Sequence, residues 1–143
     1  MISSVFPDVN FWLALSYPPH IHHELAESWY QSLRPSPILV FCRHTQLSLF
    51  RLLSTAAILG RDALSQRRCW EVFDEWMVSG DAVFAEEPPE LETDMRARTR
   101  AESASPKEWA DAYLAAFAEA AHLTLVTFDR ALAGRTPGSI LLG

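Results

Sequence analysis

Trp109-Ala110-Asp111-Ala112-Tyr113-Leu114-Ala115-Ala116-Phe117-Ala118 and, shortly after it, Thr124-Leu125-Val126-Thr127-Phe128-Asp129 decide how this chain folds. The first stretch has helical period: Trp109, Ala112, Tyr113, Ala116, Phe117 and Ala120 form one apolar stripe, and Leu114, Ala115 and Ala118 make much of the other side apolar too. Ser105, Pro106 and Glu108 predict its start, as a capping box with proline in the first turn. The second stretch has the composition of a buried strand and ends in an acid. A largely buried helix that feeds such a strand is half of a βαβ unit, so an α/β sheet protein is expected.

Outward from this pair, short apolar runs alternate with longer segments of helical period. Strands are expected near 3–8, 37–41, 82–85, 123–127 and 139–142, with helices near 9–17, 21–34, 43–55, 65–79, 88–102 and 106–121. The connections, such as Arg34-Pro35-Ser36-Pro37 and Gly134-Arg135-Thr136-Pro137-Gly138, are short and turn-like, so one domain over 1–143 is expected. A chain of 143 residues that is 49% hydrophobic can fill a proper core.

Composition narrows the classes. Cys42 and Cys69 are single and widely spaced, which suits a reducing compartment rather than a disulfide framework. Met1-Ile2-Ser3-Ser4-Val5-Phe6 has no positively charged start and is interrupted by Pro7, Asp8 and Asn10, and no apolar run approaches the ~20 residues of a membrane span. A cytoplasmic protein without a membrane partner is expected. The net charge of −6 argues against nucleic acid at first. Yet Arg43, Arg51, Arg61, Arg67 and Arg68 face a single acid, Asp62, within residues 43–68, so local basic surface exists.

Three acids carry the chemistry. Asp111 lies on the Leu114/Ala115/Ala118 side of its helix, where an unpaired carboxylate is costly to desolvate and a salt bridge or a solvent-facing groove would compensate it. Asp8 and Asp129 each close an apolar strand-like run, and groups just beyond the carboxyl ends of parallel strands are where sites form. Each also reads as a helix cap, Asp8 before Val9-Asn10-Phe11 and Asp129 before Arg130-Ala131-Leu132. Three acids converging without a nearby Lys or Arg would repel one another and hold their protons more tightly unless a cation lies among them. Carboxylate oxygens with no His or Cys at matching positions select Mg2+ or Mn2+ over zinc. Such a site suits phosphodiester hydrolysis, the ion orienting the phosphate, helping to generate hydroxide for in-line attack and stabilising the leaving oxygen.

Together with Pro7-Asp8-Val9-Asn10 and Thr45-Gln46-Leu47 leading to Phe50-Arg51-Leu52-Leu53, these stretches span nearly the whole chain in one order. In that order the chain resembles the PIN-domain ribonucleases, and within them the VapC-type toxins of bacterial toxin–antitoxin pairs. The resemblance implies a three-layer α/β/α fold around a central, mostly parallel sheet of about five strands. It also implies RNA cleavage with Mg2+ or Mn2+ and no covalent enzyme intermediate, a cognate antitoxin protein, and a homodimer.

The resemblance further implies Asp8, Asp111 and Asp129 as metal ligands and catalytic residues, with Gln46 where a glutamate is usual. A carboxamide is uncharged, so Gln46 is expected to reduce metal affinity, or to hold a water or phosphate through its NH2 group, since Arg43, Gln46 and Phe50 share one helical face. An exposed structural glutamine is the competing interpretation. Asn10 and Thr127 lie two residues from presumed ligands and are candidates for positioning a carboxylate or water, against merely satisfying local backbone.

Two rival functions remain. One is a PIN-like binding protein, weakened catalytically by Gln46 and acting through antitoxin or RNA. The other is an aspartate-based phosphohydrolase with Asp8 as nucleophile, disfavoured because Asn10 occupies the second acidic position such enzymes need. His20-Ile21-His22-His23 opens an amphipathic helix and lacks further ligands at zinc spacing. Trp70, Phe73, Trp76 and Met77 are spaced as core or an oligomer face, and Arg96, Arg98 and Arg100 as a solvated face.

Overall fold

The computed structural model describes residues 3–143; Met1 and Ile2 lie outside it. Strands β1 (Ser4–Pro7), β2 (Ile38–Phe41), β3 (Ala82–Phe84), β4 (Thr124–Thr127) and β5 (Ile140–Leu141) form one sheet in the order β3-β2-β1-β4-β5, and every pairing is parallel. The helices are α1 (Val9–Ser16), α2 (His23–Ser32), α3 (Arg43–Leu53), α4 (Ala56–Leu59), α5 (Gln66–Ser79), α6 (Leu91–Arg98), α7 (Glu108–Ala120) and α8 (Arg130–Gly134), with a 3-10 turn at Gly60–Asp62. This is the expected α/β sheet of five strands.

Side-chain alternation along the strands builds the three layers. Val5, Leu39, Phe41, Ala82 and Val126 point to one face and pack with Phe11, Trp12, Leu49, Leu53 and Cys69 of α1, α3 and α5. Their neighbours Phe6, Val40 and Leu125 point to the other face and pack with Leu91, Leu114, Phe117 and Leu132 of α6, α7 and α8. A period of two sorts successive side chains onto opposite faces, so both faces are covered, as a parallel sheet requires. Stacked rings lock each layer: Trp12 lies on Phe41 at 3.6 Å, and Phe6 on Phe117 at 4.9 Å.

Strand order has a direct consequence for function. From β1 the chain winds outward through β2 to β3, crosses back, and resumes at β4 on the other side of β1. The β1/β4 boundary is thus the point where winding reverses, and the region beyond the carboxyl ends of those two strands is where open parallel sheets place their ligands. Because α7 leads into the start of β4, its own first turn lies toward that same carboxyl edge.

Several local expectations are corrected. Helix α7 begins at Glu108, not at Pro106: Lys107 is its N-cap with no side-chain bond, and the capping box of Ser105 and Glu108 does not form. Ser105 Oγ instead stands 3.4 Å from Ser103 Oγ, while its carbonyl accepts the Glu108 N–H at 3.0 Å, closing a turn ahead of the helix. Trp109, in that first turn, precedes the buried run starting at Ala112 and is 60% exposed, so it leaves the predicted buried stripe. The helix expected near 21–34 spans His23–Ser32, and ahead of it the His22 N–H donates to His20 Nδ1 at 3.0 Å. The one expected near 88–102 is confined to Leu91–Arg98, so Arg100 falls beyond it. Helix α5 ends as its sequence requires, with Gly80 at a φ of 82° in the left-handed region. Among the described residues no helix is long and apolar enough to cross a membrane.

Candidate functional site

Asp8 follows β1 directly. Its backbone N–H continues the ladder to Val126 of β4 at 3.1 Å, and its Oδ1 caps α1 by accepting the Phe11 N–H at 3.0 Å. Its other oxygen, Oδ2, accepts the hydroxyl of Thr127, the last residue of β4. Thr127 Oγ1 in turn accepts the backbone N–H of Asp129 at 2.9 Å. The carboxylate of Asp129 caps α8 by accepting Ala131 N–H at 2.9 Å and Leu132 N–H at 3.2 Å. The cap and the site interpretations of the two aspartates therefore do not compete, since caps leave carboxylate lone pairs free.

Burial separates these acids. Asp8 is 4% exposed and Thr127 is fully buried, whereas Asp129 is open to solvent. Desolvation pushes the Asp8 carboxyl up to about 6; the bonds from Thr127 and Phe11 oppose this, and the charges of Asp129 and Asp111 add to it. Asp111 is also raised, first by desolvation and then by the charge of Asp129, with Arg135 and Lys107 opposing. Each of the three acids thus lies within the field of the others at the carboxyl edge.

Of the two compensations open to Asp111, a salt bridge or a solvent-facing groove, Arg135 supplies the first. Its Nη2 pairs with Glu108 Oε1 at 2.7 Å, and its Nη1 lies 3.7 Å from Asp111 Oδ2. Asp111 is therefore compensated by the salt bridge that the sequence left open, and it keeps a partly exposed side chain. Among the described residues no three His, Cys, Asp or Glu side chains close into a metal-holding group. The acids stand as three separately partnered carboxylates at the carboxyl edge of the sheet.

Gln46 is buried, not exposed: it is 1% accessible on the first turns of α3, and its Oε1 accepts from Arg43 Nη1 at 2.6 Å. The Arg43 guanidinium rests over the Phe84 ring at 4.6 Å, which fixes the donor in place. Asn10 is exposed, and no hydrogen bond joins it to Asp8 among the described residues.

The histidines and the aromatic helix serve the fold. His23 bonds the Ala14 carbonyl at 2.7 Å and Glu27 at 2.8 Å, while His22 stacks on Phe128 at 4.6 Å. Phe73 packs edge-on to Phe41, and Trp76 donates to Ser16 at 3.0 Å. Arg98 departs from the solvated face assigned to it. Only 21% exposed, it joins α6 to α7 and the end of α8 by donating to Asp94 at 3.0 Å, to Glu119, and to the Arg135 carbonyl at 3.0 Å.

Arg135 is the residue that sequence reasoning missed. It sits in a Gly-Arg-Thr-Pro-Gly turn, where nothing in the spacing points toward Asp111.

Three carboxylates offer hard oxygen donors, and the charges of Asp129 and Asp111 add to the desolvation that already burdens the buried Asp8. That chemistry fits a divalent cation and gives a soft metal no sulfur or imidazole to bind.

Comparison with known proteins shows the family. The PIN domain family model matches residues 5–135. Ribonuclease VapC41 of Mycobacterium tuberculosis is 39% identical over 128 residues, covering 87% of this chain and 88% of that protein. Among solved structures, VapC20 of Mycobacterium tuberculosis, described as a sarcin-ricin loop cleaving toxin, superposes with a TM-score of 0.63 at 18% identity, over 92% of this chain and 94% of its own. PAE2754 of Pyrobaculum aerophilum gives 0.60 at 22% identity, over 96% and 83%. FitAcB of Neisseria gonorrhoeae gives 0.52 at 21%, over 96% of each chain. At those identities the structures attest the fold, while the family model and the 39% relative fix the lineage: the chain belongs to the PIN-domain family, in its VapC-type branch.

Proposed function

We propose that this chain is an endoribonuclease of the toxin–antitoxin kind, in which Asp8, Asp111 and Asp129 hold Mg2+, or Mn2+ in its place, and RNA phosphodiesters are hydrolysed without a covalent enzyme intermediate. The observation that carries this most is the buried Asp8 at the β1/β4 boundary, bonded to Thr127 and burdened by the charges of two further acids. A bound divalent ion would supply charge neutralisation for the phosphodiester and activation of the attacking water. The protein's own part is orientation. Thr127 holds Asp8 and the Asp129 backbone in one arrangement, the two helix caps fix the rotamers of both acids, and Asp111 approaches from α7. A cognate antitoxin, a homodimer and one domain over the whole chain belong to the same proposal and are supported by the VapC-type relationship.

Purified protein, freed of antitoxin and of contaminating nuclease, is expected to cut RNA when Mn2+ is added and to stop when it is chelated. Asp8→Asn should abolish cleavage while the variant still melts cooperatively. Cleavage that survives both chelation and Asp8→Asn would end the proposal.

A second interpretation is favoured by Gln46. Its carbonyl is taken by Arg43 and it brings no charge to the site, as in a PIN-like protein that binds antitoxin or RNA with weakened catalysis. RNA binding with no cleavage at any Mn2+ concentration would select it.

A further inference from the structure

We propose that Arg135 is the resident counter-cation of Asp111 and competes with the divalent ion for it. This rests on the metal role proposed above for Asp111. Arg135 closes the C-terminal end of α8, and its backbone is pinned there because its carbonyl accepts from Arg98 at 3.0 Å, Arg98 being itself held by Asp94 and Glu119. From that anchor the guanidinium reaches back to the first turn of α7 and spans two acids on the same helix.

The two contacts are unequal. Glu108 is held at 2.7 Å, a hydrogen-bonded ion pair, while Asp111 lies at 3.7 Å, within Coulomb range but beyond a hydrogen bond. The guanidinium can therefore give up Asp111 and keep Glu108, with no rearrangement of the α8 backbone. A small cavity of about 60 Å³, lined by Arg98, Glu108, Asp111, Ala112, Ala115 and Arg135, lies at this junction and leaves room for the side chain to shift. Arginine never surrenders its proton, so it neutralises Asp111 at every working pH until another cation replaces it. Without it, Asp111 would face the charges of Asp129 and Glu108 with only Lys107 opposed to them.

The test is a Mn2+ titration, read calorimetrically or from the spin-resonance signal of free Mn2+, on the whole protein. Arg135→Ala should tighten Mn2+ about two- to fivefold at low salt, the range an exposed ion pair supplies. The gain should shrink as ionic strength rises. Arg135→Gln, which keeps much of the length and removes the charge, should do the same if the alanine variant folds poorly. Combining Arg135→Ala with Asp111→Asn should remove the gain, because the competitor then has nothing to release. Arg96→Ala, in an exposed pair with Glu92, should leave Mn2+ affinity unchanged.

Mn2+ affinity that is unchanged or weaker in both Arg135 variants, with Asp111→Asn still impairing binding, overturns the competition and leaves the metal site standing. Wild-type Mn2+ binding indifferent to Asp111→Asn removes the metal role of Asp111, and the competition falls with it.

Discussion

The hydroxyl of Thr127 donates to the carboxylate of Asp8 across 119 positions of sequence, at the boundary where the sheet reverses its winding. The same oxygen accepts the Asp129 N–H, so one side chain sets the relative placement of two acids. Thr127→Val keeps the shape and removes the donor. It should cost about 1–3 kcal/mol of stability, since a buried carboxylate loses its partner. It should also push the Asp8 carboxyl above its present value of about 6, because the bond from Thr127 holds it down. Chemical denaturation and a pH series of Mn2+ titrations check both, and Thr127→Ser should restore both.

Asp8 also predicts a pH dependence of folding. Its value in the folded chain, about 6, exceeds the ordinary 3.8, so the folded protein keeps this proton to higher pH than the unfolded one. Between those values the metal-free protein loses stability as pH rises, by about 3 kcal/mol from this group. Below them Asp8 is protonated in both states and costs nothing. Other carboxylates titrate over the same window, so the measure is the difference between wild type and Asp8→Asn in urea melts from about pH 4 to about pH 7. That difference should change with pH in the stated direction, and Mn2+ should restore wild-type stability at the upper end.

Gln46→Glu replaces a neutral acceptor 2.6 Å from Arg43 by a charged one at a position that is 1% exposed. The Arg43 bond, already assisted by the guanidinium charge, should become a full ion pair. Under limiting Mn2+, RNA cleavage should rise about three- to tenfold, which corresponds to about 1 kcal/mol of added ion binding. A rate that does not move would assign position 46 to Arg43 alone.

Arg98 and Arg96 offer a contrast within one helix. Arg98, 21% exposed, ties three elements together, whereas the side chain of Arg96, 76% exposed, pairs with Glu92 on its own helix. Arg98→Ala should therefore destabilise the fold by about 1–3 kcal/mol, and Arg96→Ala by less than about 0.5 kcal/mol. Thermal melts of the two variants decide this.

The sheet was legible in sequence because it depends on runs that announce themselves. Val5-Phe6, Leu39-Val40-Phe41 and Leu125-Val126 are apolar on both faces, which a covered parallel strand requires, and each adjoins a segment of helical period. Helices α4 and α8, with four and five residues, are too short to show periodicity; α4 was not foreseen, and α8 was legible only through Asp129 as its cap. The capping box at Ser105 failed because a local pattern cannot tell whether the chain will turn once more before it coils.

The site divides in the same way. Asp8 and Asp129 were legible as strand-end acids, and Asp111 as an acid on an apolar helix that needs compensation. Arg135, which supplies that compensation, was not, because a lone arginine in a glycine-rich turn meets its partners only through the fold. Gln46 was read against family pattern rather than burial, so its enclosure beneath Arg43 emerged only from the packing.

The central claim is that Asp8, Asp111 and Asp129 share one divalent cation. A crystal of the protein soaked in Mn2+ and measured at the manganese absorption edge addresses it without recourse to activity. The account predicts an anomalous peak within coordinating distance, about 2.0–2.4 Å, of carboxylate oxygens from all three aspartates, with Arg135 drawn away from Asp111. Manganese bound elsewhere, or no peak at saturating Mn2+ while the three carboxylates keep their present partners, would contradict it.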